Sequence, residues 1–102
     1  MDLITVEELK RRMDAGEKIN LVDVREQYEH DDFNIGGILL PLSNFRSMEI
    51  EPIEGFKDEE VILYCRSGNR SGQAALILDG MGFKSTKNLA GGMLAWKDKI
   101  GS

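Results

Sequence analysis

The residues best suited to chemistry lie together in one short segment, Cys65–Ser71, which contains the chain's only cysteine. The apolar run 61–64 before it predicts a buried strand, and residues 72–78 after it predict a buried helix. Cys65 is therefore expected at the carboxyl end of a strand, on a loop leading into a helix N-terminus, where open α/β sheets bind ligands. Loop amides, the positive end of the helix and the guanidinium groups of Arg66 and Arg70 all favour a thiolate. The pattern predicts a sulfur nucleophile that meets an anion.

The other residues of this loop suit a backbone cradle for that anion. Gly68 and Asn69 tolerate a positive φ, which a loop needs if several amide groups are to turn inward. Ser71 can cap the following helix or donate a hydrogen bond to the sulfur, and we expect both roles, with capping dominant. Ser67 serves the shape of the same loop. The loop is one residue shorter than the cradle that cysteine phosphatases build for a phosphate, so we expect it to close around a smaller centre such as a persulfide sulfur.

Strand and helix patterns alternate along the chain. Thr5 followed by Glu8 is a capping box, so a helix is expected to start at Val6 and to stop near Gly16. The apolar character of residues 19–24 is typical of a parallel strand that is covered on both faces. Further strands are expected at 38–41, 61–64 and 85–89, and further helices at 26–32, 43–48 (capped by Ser43), 72–80 and 94–100. This alternation predicts an α/β protein with three layers, α/β/α, around a mainly parallel sheet of about five strands.

Length and composition restrict the classes of protein that are possible. At 102 residues there is room for one domain, residues 1–102. A net charge of -5 argues against a nucleic-acid partner, which would favour a basic face. No apolar stretch approaches the ~20 residues that a membrane span needs, so no membrane partner is expected. A single cysteine cannot form an intramolecular disulfide, which favours a reducing cytoplasm. No cysteine or histidine cluster has metal-ligand spacing.

Three further features have a simpler interpretation than a functional one. His30 is the only histidine. It is expected on the surface, because a nucleophilic Cys–His pair would require it beside Cys65 in the fold. Trp96 is expected to pack the last helix against the core. The acidic segment 49–60 is expected to be a solvated loop, with a docking surface for a basic partner as the alternative.

Three segments together resemble the rhodanese family of sulfurtransferases. Besides the Cys65–Ser71 loop, residues 23–26 (DVRE) are similar to the family's strand end, and residues 89–96 (LAGGMLAW) are similar to its C-terminal motif. The three segments cover nearly the whole chain in the family's order. Asn34 and Gly36 depart from the histidine and proline that the family usually has in a turn beside the site.

The resemblance implies a rhodanese-like fold and a thiosulfate-type sulfurtransferase. Cys65 would then become a persulfide, the residues from Arg66 to Ser71 would bind the anion, and Asp23 and Arg25 would support the loop and its rim. The implied partners are a small-molecule sulfur donor such as thiosulfate and an acceptor that is cyanide, a thiol or a protein. No cofactor and no metal are implied.

Arg66, directly after the cysteine, favours thiosulfate over mercaptopyruvate by analogy with the family. Two other classes of function remain open. One is a persulfide carrier or regulatory binding module that does not turn over. The other is a phosphatase or arsenate reductase on the same scaffold, which the short loop disfavours.

Overall fold

The computed structural model describes residues 1–101 as five strands and five α-helices. The strands are β1 Asp2–Ile4, β2 Asn20–Asp23, β3 Ile38–Leu39, β4 Glu60–Tyr64 and β5 Ser85–Leu89. The helices are α1 Val6–Asp14, α2 Gln27–Asp32, α3 Leu42–Arg46, α4 Asn69–Gly80 and α5 Gly92–Lys99. A short 3-10 helix, Glu51–Phe56, precedes β4.

The five strands form one sheet in the order β1-β5-β4-β2-β3, and every pair is parallel. Strand β4 lies at the centre. Asp23 is paired with Tyr64, and Leu63 is paired with Asn88, so the carboxyl ends of β2, β4 and β5 reach the same edge of the sheet. The α/β fold with a parallel five-stranded sheet is therefore confirmed, and the segment that follows β4 is placed where such sheets bind ligands.

Helices cover both faces of the sheet, so that the side chains of β4 are buried on both sides. Val61 and Leu63 belong to the core cluster that includes residues of α3 and α4. Ile62 and Tyr64, which point to the opposite face, belong to the cluster that includes residues of α1 and α5. Trp96 lies in this second cluster, so the prediction that it is a core residue is confirmed. Because side chains alternate along a strand, β4 contributes residues to the core on each face of the sheet.

Helix α1 follows its sequence signals closely. The Thr5 hydroxyl oxygen accepts a hydrogen bond from the Glu8 amide at 3.1 Å, which is one of the two hydrogen bonds of the predicted capping box. The Glu8 carboxylate bonds to the Arg11 side chain and not to the Thr5 amide. The helix begins at Val6 and ends at Asp14, and Gly16 follows with φ of 75°. A positive φ just beyond a helix end is a conformation that glycine adopts at little cost. Within residues 1–101, none of the helices has the length and apolar character needed to span a membrane.

Several element boundaries differ from the expectations. Strand β1 was not predicted, because its register is set by β5, more than eighty positions away. Helix α3 is preceded by Pro41 and not capped by Ser43, whose segment is already helical. The acidic segment 49–60 contains the 3-10 helix and is not wholly irregular. Helix α4 begins at Asn69, inside the predicted loop, and α5 begins at Gly92.

Candidate active site

Cys65 directly follows β4, and the residue is 1% exposed. The chain turns at Gly68, whose φ is 101°, and helix α4 starts at the next residue. The expectation of a left-handed residue in this loop is therefore confirmed for Gly68. It is wrong for Asn69, which is the first residue of the helix.

Three donors surround the Cys65 sulfur. The Gly68 amide donates to Sγ at 3.1 Å, the Ser71 amide lies 3.4 Å from it, and the Ser71 hydroxyl oxygen lies 3.3 Å from it. Ser71 occupies the third position of α4 and does not cap the helix. The expected dominance of a capping role is thus wrong, and the side chain instead faces the sulfur. Amides at a helix N-terminus together with a hydroxyl form a site suited to negative charge.

These donors affect the pKa of the Cys65 thiol. Burial raises the pKa of the Cys65 thiol, since a charged sulfur loses solvation in the interior. Hydrogen bonds from the Ser71 hydroxyl and from the Ser71 and Gly68 amides, with a smaller contribution from the more weakly placed Ser67 amide, outweigh burial and bring the pKa below its ordinary value. A lowered pKa increases the fraction of thiolate, which is the nucleophilic form.

Helix α5 holds the backbone of the loop from the other side. The Met93 amide donates to the Cys65 carbonyl oxygen at 2.9 Å, and the Leu94 amide donates to the Arg66 carbonyl oxygen at 3.0 Å. In a planar trans peptide the N–H points away from the carbonyl oxygen. With both carbonyl groups drawn toward α5, the amides of Arg66 and Ser67 are directed away from that helix. The N-terminus of α5 therefore sets the orientation of the first two peptides in the loop.

Close approach of α5 requires glycine at position 92. A Cβ atom there would overlap the Cys65 carbonyl oxygen and the Arg66 carbonyl group. Its φ of 54° is also one that residues with a side chain rarely adopt. The Gly91–Gly92 pair in the C-terminal motif thus permits the contact between α5 and the loop.

Arg70 is held by an ion pair that links α4 to α2. Its two terminal nitrogens donate to the two carboxylate oxygens of Glu29 at 2.7 and 2.8 Å. The Arg70 guanidinium lowers the pKa of Glu29 to about 2, and this hydrogen bonding raises the pKa of Arg70. An arginine in the first turn of a helix opposes the helix dipole, and Glu29 is the carboxylate that compensates for it.

Arg66 is in a different position from Arg70. It is exposed, and no carboxylate among residues 1–101 forms an ion pair with it. It lines a groove of about 550 Å³ between α2 and α5, beside the Cys65–Ser71 loop. The other residues lining the groove are Arg25, Tyr28, Glu29, Asp32, Met93, Leu94 and Lys97. Of the two arginines in the loop, Arg66 is thus the one whose charge is available to a ligand.

Asp23 and Arg25 form a buried pair at the end of β2. The Arg25 side chain donates to both Asp23 carboxylate oxygens, at 2.9 and 2.8 Å, and to the Phe33 carbonyl oxygen at 2.7 Å. Burial opposes ionisation of Asp23, but hydrogen bonds from Arg25 and His30 keep its pKa below the usual value. Arg25 also lines the groove, so its pairing with Asp23 fixes one of the groove's side chains and, through Phe33, the turn after α2.

His30 was expected to be an ordinary surface residue, and its contacts are more specific than that. Its ring Nδ1 lies 2.8 Å from Asp23 Oδ2, where it donates to an ionised carboxylate, and its side chain is only partly exposed. The nearby turn is closed by Asn34, which donates to the His30 carbonyl oxygen and accepts from the Gly36 amide. Where this sequence departs from the family's usual turn residues, Asn34 supplies the hydrogen bonds that close the turn.

Two residues that face the loop were not singled out from the sequence. Glu29 is one of several acidic residues in α2, and nothing local marks it as the partner of a residue 41 positions away. Asn88 is a buried amide near the end of β5 that contacts both Gly68 and Ser71. Its signal in the sequence is a polar residue at a buried strand position, immediately before the segment 89–96. Among residues 1–101, no group of three potential metal ligands occurs.

The comparisons with known proteins agree with this geometry. The family model for rhodanese-like domains matches residues 5–99. A protein of Allochromatium vinosum named sulfurtransferase is 38% identical over 96 residues, which cover 91% of this chain and 85% of that protein. A crystal structure of a rhodanese-like domain protein from Staphylococcus aureus aligns with a TM-score of 0.83 at 28% identity, over 97% of this chain and 94% of that one.

Some relatives are considerably longer than this chain. YrkF of Bacillus subtilis, named as a sulfur carrier protein, is 34% identical over 97 residues. The match covers 94% of this chain but only 51% of YrkF. In other curated relatives the chain covers 25% of the length.

Proposed function

The chain belongs to the family of rhodanese-like domains, and we propose that it transfers sulfane sulfur from an anionic donor such as thiosulfate to an acceptor through a persulfide on Cys65. The observation that carries the proposal is the environment of the sulfur. The chain's single thiol lies within reach of two amides and a hydroxyl at the start of α4, with its pKa lowered. Relatives named as sulfurtransferases support the same reaction class.

The first half of the proposed reaction forms the persulfide. The Cys65 thiolate attacks the outer sulfur of thiosulfate, a bond forms between the two sulfurs, and the bond to the sulfonate sulfur breaks. Sulfite leaves with the electron pair, and the negative charge of the enzyme is then on the outer sulfur of Cys65. Donors directed at a position where charge develops are effective because they need little reorganisation during the reaction.

The loop residues have distinct roles in this proposal. Ser67, Gly68, Asn69 and Ser71 bind the charged sulfur through their amides, and Arg66 attracts the donor anion from the groove. Arg70 acts in part through its ion pair with Glu29 and in part by its charge, which interacts with that of Cys65. Asp23 and Arg25 support the groove that borders the loop.

The second half returns the enzyme to its starting state. An external nucleophile, which is cyanide in an assay or a thiol or protein thiol in the cell, attacks the outer sulfur. The bond to Cys65 breaks and its electron pair returns to the Cys65 sulfur as a thiolate. With one cysteine in the chain, release through an internal disulfide is not available. The kinetics are therefore expected to be ping-pong.

A carrier that holds the persulfide without turnover is the second candidate. The observation that favours it is the match to YrkF, a protein named as a sulfur carrier. The two candidates share the first half of the reaction and differ in the second. Saturable turnover with thiosulfate and cyanide supports the enzyme, and a stable persulfide that cyanide does not discharge supports the carrier. Activity on an aryl phosphate would instead support the phosphatase alternative.

The test of the proposed function is the mass of the intact protein after treatment with thiosulfate. We expect the addition of one sulfur, about 32 Da, and no addition in Cys65→Ser, because the protein has one thiol. Cyanide should then remove the added mass from the wild-type protein. An adduct that persists in Cys65→Ser, or no adduct in the wild-type protein at any thiosulfate concentration, contradicts the mechanism.

We also infer a cytoplasmic location and no requirement for a cofactor. The location is supported by the single free thiol, which a reducing compartment would keep available. The chemistry proposed above uses only the thiolate, loop amides and cationic side chains.

A further inference from the structure

The side chain of Asn88 lies beneath the catalytic loop. It is 6% exposed and is located on β5, where it is paired with Leu63 of β4, two residues before Cys65. Its amide nitrogen donates to the Gly68 carbonyl oxygen at 2.9 Å. Its amide oxygen is in short hydrogen-bond contact with the Ser71 hydroxyl. Asn88 therefore contacts two of the residues that provide donors to the Cys65 sulfur.

The orientation of this amide follows from the chemistry of its partners. A backbone carbonyl can only accept, so the group that faces Gly68 must be the nitrogen of Asn88. The amide oxygen must then face Ser71, and it too can only accept. The Ser71 hydroxyl is consequently the donor in its contact with Asn88.

The Ser71 hydroxyl has one proton and two possible acceptors. Its oxygen lies 3.3 Å from the Cys65 sulfur as well as beside Asn88. When Cys65 is a neutral thiol, the S–H can donate to the Ser71 oxygen while the Ser71 proton remains on the Asn88 side. When Cys65 is a thiolate it can only accept, and its negative charge makes it the stronger of the two acceptors, so we expect the hydroxyl to turn toward the sulfur. In that state the Asn88 oxygen loses its donor.

We propose that Asn88 is a positioning residue that makes the Ser71 hydroxyl follow the charge on the Cys65 sulfur. Asn88 holds the hydroxyl proton when this sulfur is uncharged and releases it when the sulfur becomes a thiolate. Competition from Asn88 makes the hydrogen bond to the thiolate weaker than the hydroxyl alone would provide. Since a more strongly stabilised thiolate is a weaker nucleophile, Asn88 preserves the reactivity of the sulfur.

The consequence for sulfur transfer rests on the function proposed above. Persulfide formation moves the charge from the Cys65 sulfur to the outer sulfur, so the hydroxyl returns to Asn88. Attack by the acceptor moves the charge back to Cys65 as this sulfur leaves, and the hydroxyl turns to meet it. One hydroxyl thereby assists the leaving sulfur in the second half-reaction without permanently deactivating the nucleophile in the first.

The charged groups around the loop are independent of Asn88. Arg70 of α4, whose charge interacts with that of Cys65, is paired with Glu29 of α2. Arg66 is in the groove, and Arg25 is paired with Asp23 at the end of β2. A change at Asn88 therefore leaves these charged groups and the two ion pairs, Arg70–Glu29 and Arg25–Asp23, in place.

The test follows the titration of Cys65 by the ultraviolet absorbance of its thiolate. For each protein, the absorbance of the same protein carrying Cys65→Ser is subtracted as the background. Asn88→Leu removes the competing acceptor, so the midpoint should fall by about one pH unit. The same change in a Ser71→Ala background should leave the midpoint of that background unchanged. The matched control is Thr86→Val, which removes another side-chain hydrogen bond of β5, the partly buried one from Thr86 to Asp79, and should not move the midpoint.

Two results would overturn the proposal. One is a midpoint in Asn88→Leu that is unchanged or higher. The other is an equal fall in the Ser71→Ala background, which would mean that Asn88 acts only through Gly68. The titration requires no sulfur donor, so its outcome is separate from that of the thiosulfate mass measurement.

A measurement on the wild-type protein covers the case in which Asn88→Leu does not fold. The side-chain carbonyl carbon of Asn88, followed by NMR, should titrate with the midpoint of the Cys65 thiolate, because its oxygen loses a donor when the thiolate forms. The titration shift of the same resonance should be much smaller in Ser71→Ala, where only the electric field of the thiolate acts on it. A flat response in the wild-type protein would also overturn the proposal.

Discussion

At the scale of single residues, the two arginines of the loop are in unlike surroundings. From the sequence, both are expected to project from a polar loop and to contribute little to folding. Arg66 fits this description, since it is exposed and has no carboxylate partner within residues 1–101. Arg70 does not, because its two hydrogen bonds to Glu29 connect α4 with α2. The same substitution should therefore have different effects at the two positions.

We predict that Arg66→Ala leaves the melting temperature nearly unchanged and mainly raises KM for thiosulfate. Arg70→Ala should lower the free energy of unfolding by about 1–3 kcal/mol, because the partly buried Glu29 carboxylate loses its partner. It should also lower kcat/KM by roughly 10–1000-fold. Thermal unfolding and steady-state kinetics of both variants check this.

Arg46→Ala is the control for these two variants, since Arg46 is exposed and bonds only to Gln73 in the described residues. It should affect neither property appreciably. Equal loss of stability at positions 66 and 70 would contradict the distinction drawn between the two arginines.

At the scale of secondary-structure elements, the loop is shaped by segments distant in sequence. The carbonyl oxygens of Cys65 and Arg66 accept hydrogen bonds from amides in the first turn of α5. The carbonyl oxygen of Gly68 accepts one from the side chain of Asn88 in β5. Residues 88–94 thus act as a template for the backbone of the loop, which explains why two glycines stand at the start of α5. A side chain at position 92 would displace α5 from the loop.

We predict that Gly92→Ala lowers the free energy of unfolding by about 2 kcal/mol or more, from the positive φ and from overlap with the loop carbonyls. Persulfide formation should be impaired further, because the amides of the loop lose their orientation. Chemical denaturation and the rate of persulfide formation measure the two effects.

The control for Gly92→Ala is Gly80→Ala, at the end of α4. A Cβ atom there has no neighbour within 4 Å and the φ is not positive. Alanine at this helical position should raise stability by roughly 0.5–1 kcal/mol. Unfolding midpoints for Gly92→Ala that equal those of the wild-type protein would show that the contact with α5 is not close in solution.

At the scale of the whole molecule, the sequence predicted what depends on local pattern. The α/β class, the boundaries of α1 and the place of Cys65 between β4 and α4 follow from periodicity, capping and turn residues. What it missed depends on pairing between remote segments. Strand β1 exists through its register with β5, the Arg70–Glu29 pair joins residues 41 apart, and the Ser71–Asn88 contact joins residues 17 apart. Patterns of neighbouring residues in the sequence do not identify contacts of this kind between distant residues.

One of these remote contacts should contribute to the loss of stability of the whole molecule in acid. The pKa of Glu29 is about 2, below the ordinary value of 4.5, because Arg70 hydrogen-bonds its charged form. A carboxyl whose pKa is lower in the folded state stabilises the fold above its unfolded pKa, and this contribution is lost as the pH falls through the folded value. The contribution of Glu29 should thus be complete at neutral pH and should decline from about pH 4.5 to about pH 2.

We therefore predict that Glu29→Gln lowers the free energy of unfolding at pH 7 by about 1–3 kcal/mol, a range that allows for solvent screening of a partly exposed pair. The difference from the wild-type protein should shrink steadily as the pH falls from 4.5 toward 2, because wild-type Glu29 also becomes neutral there. Denaturant titrations at several pH values measure this difference. Glu54→Gln is the matched control, since Glu54 is exposed and forms no ion pair with residues 1–101, and its difference from the wild-type protein should stay near zero throughout. A Glu29→Gln difference that stays constant with pH would mean that the ion pair between α2 and α4 is not the source of the effect.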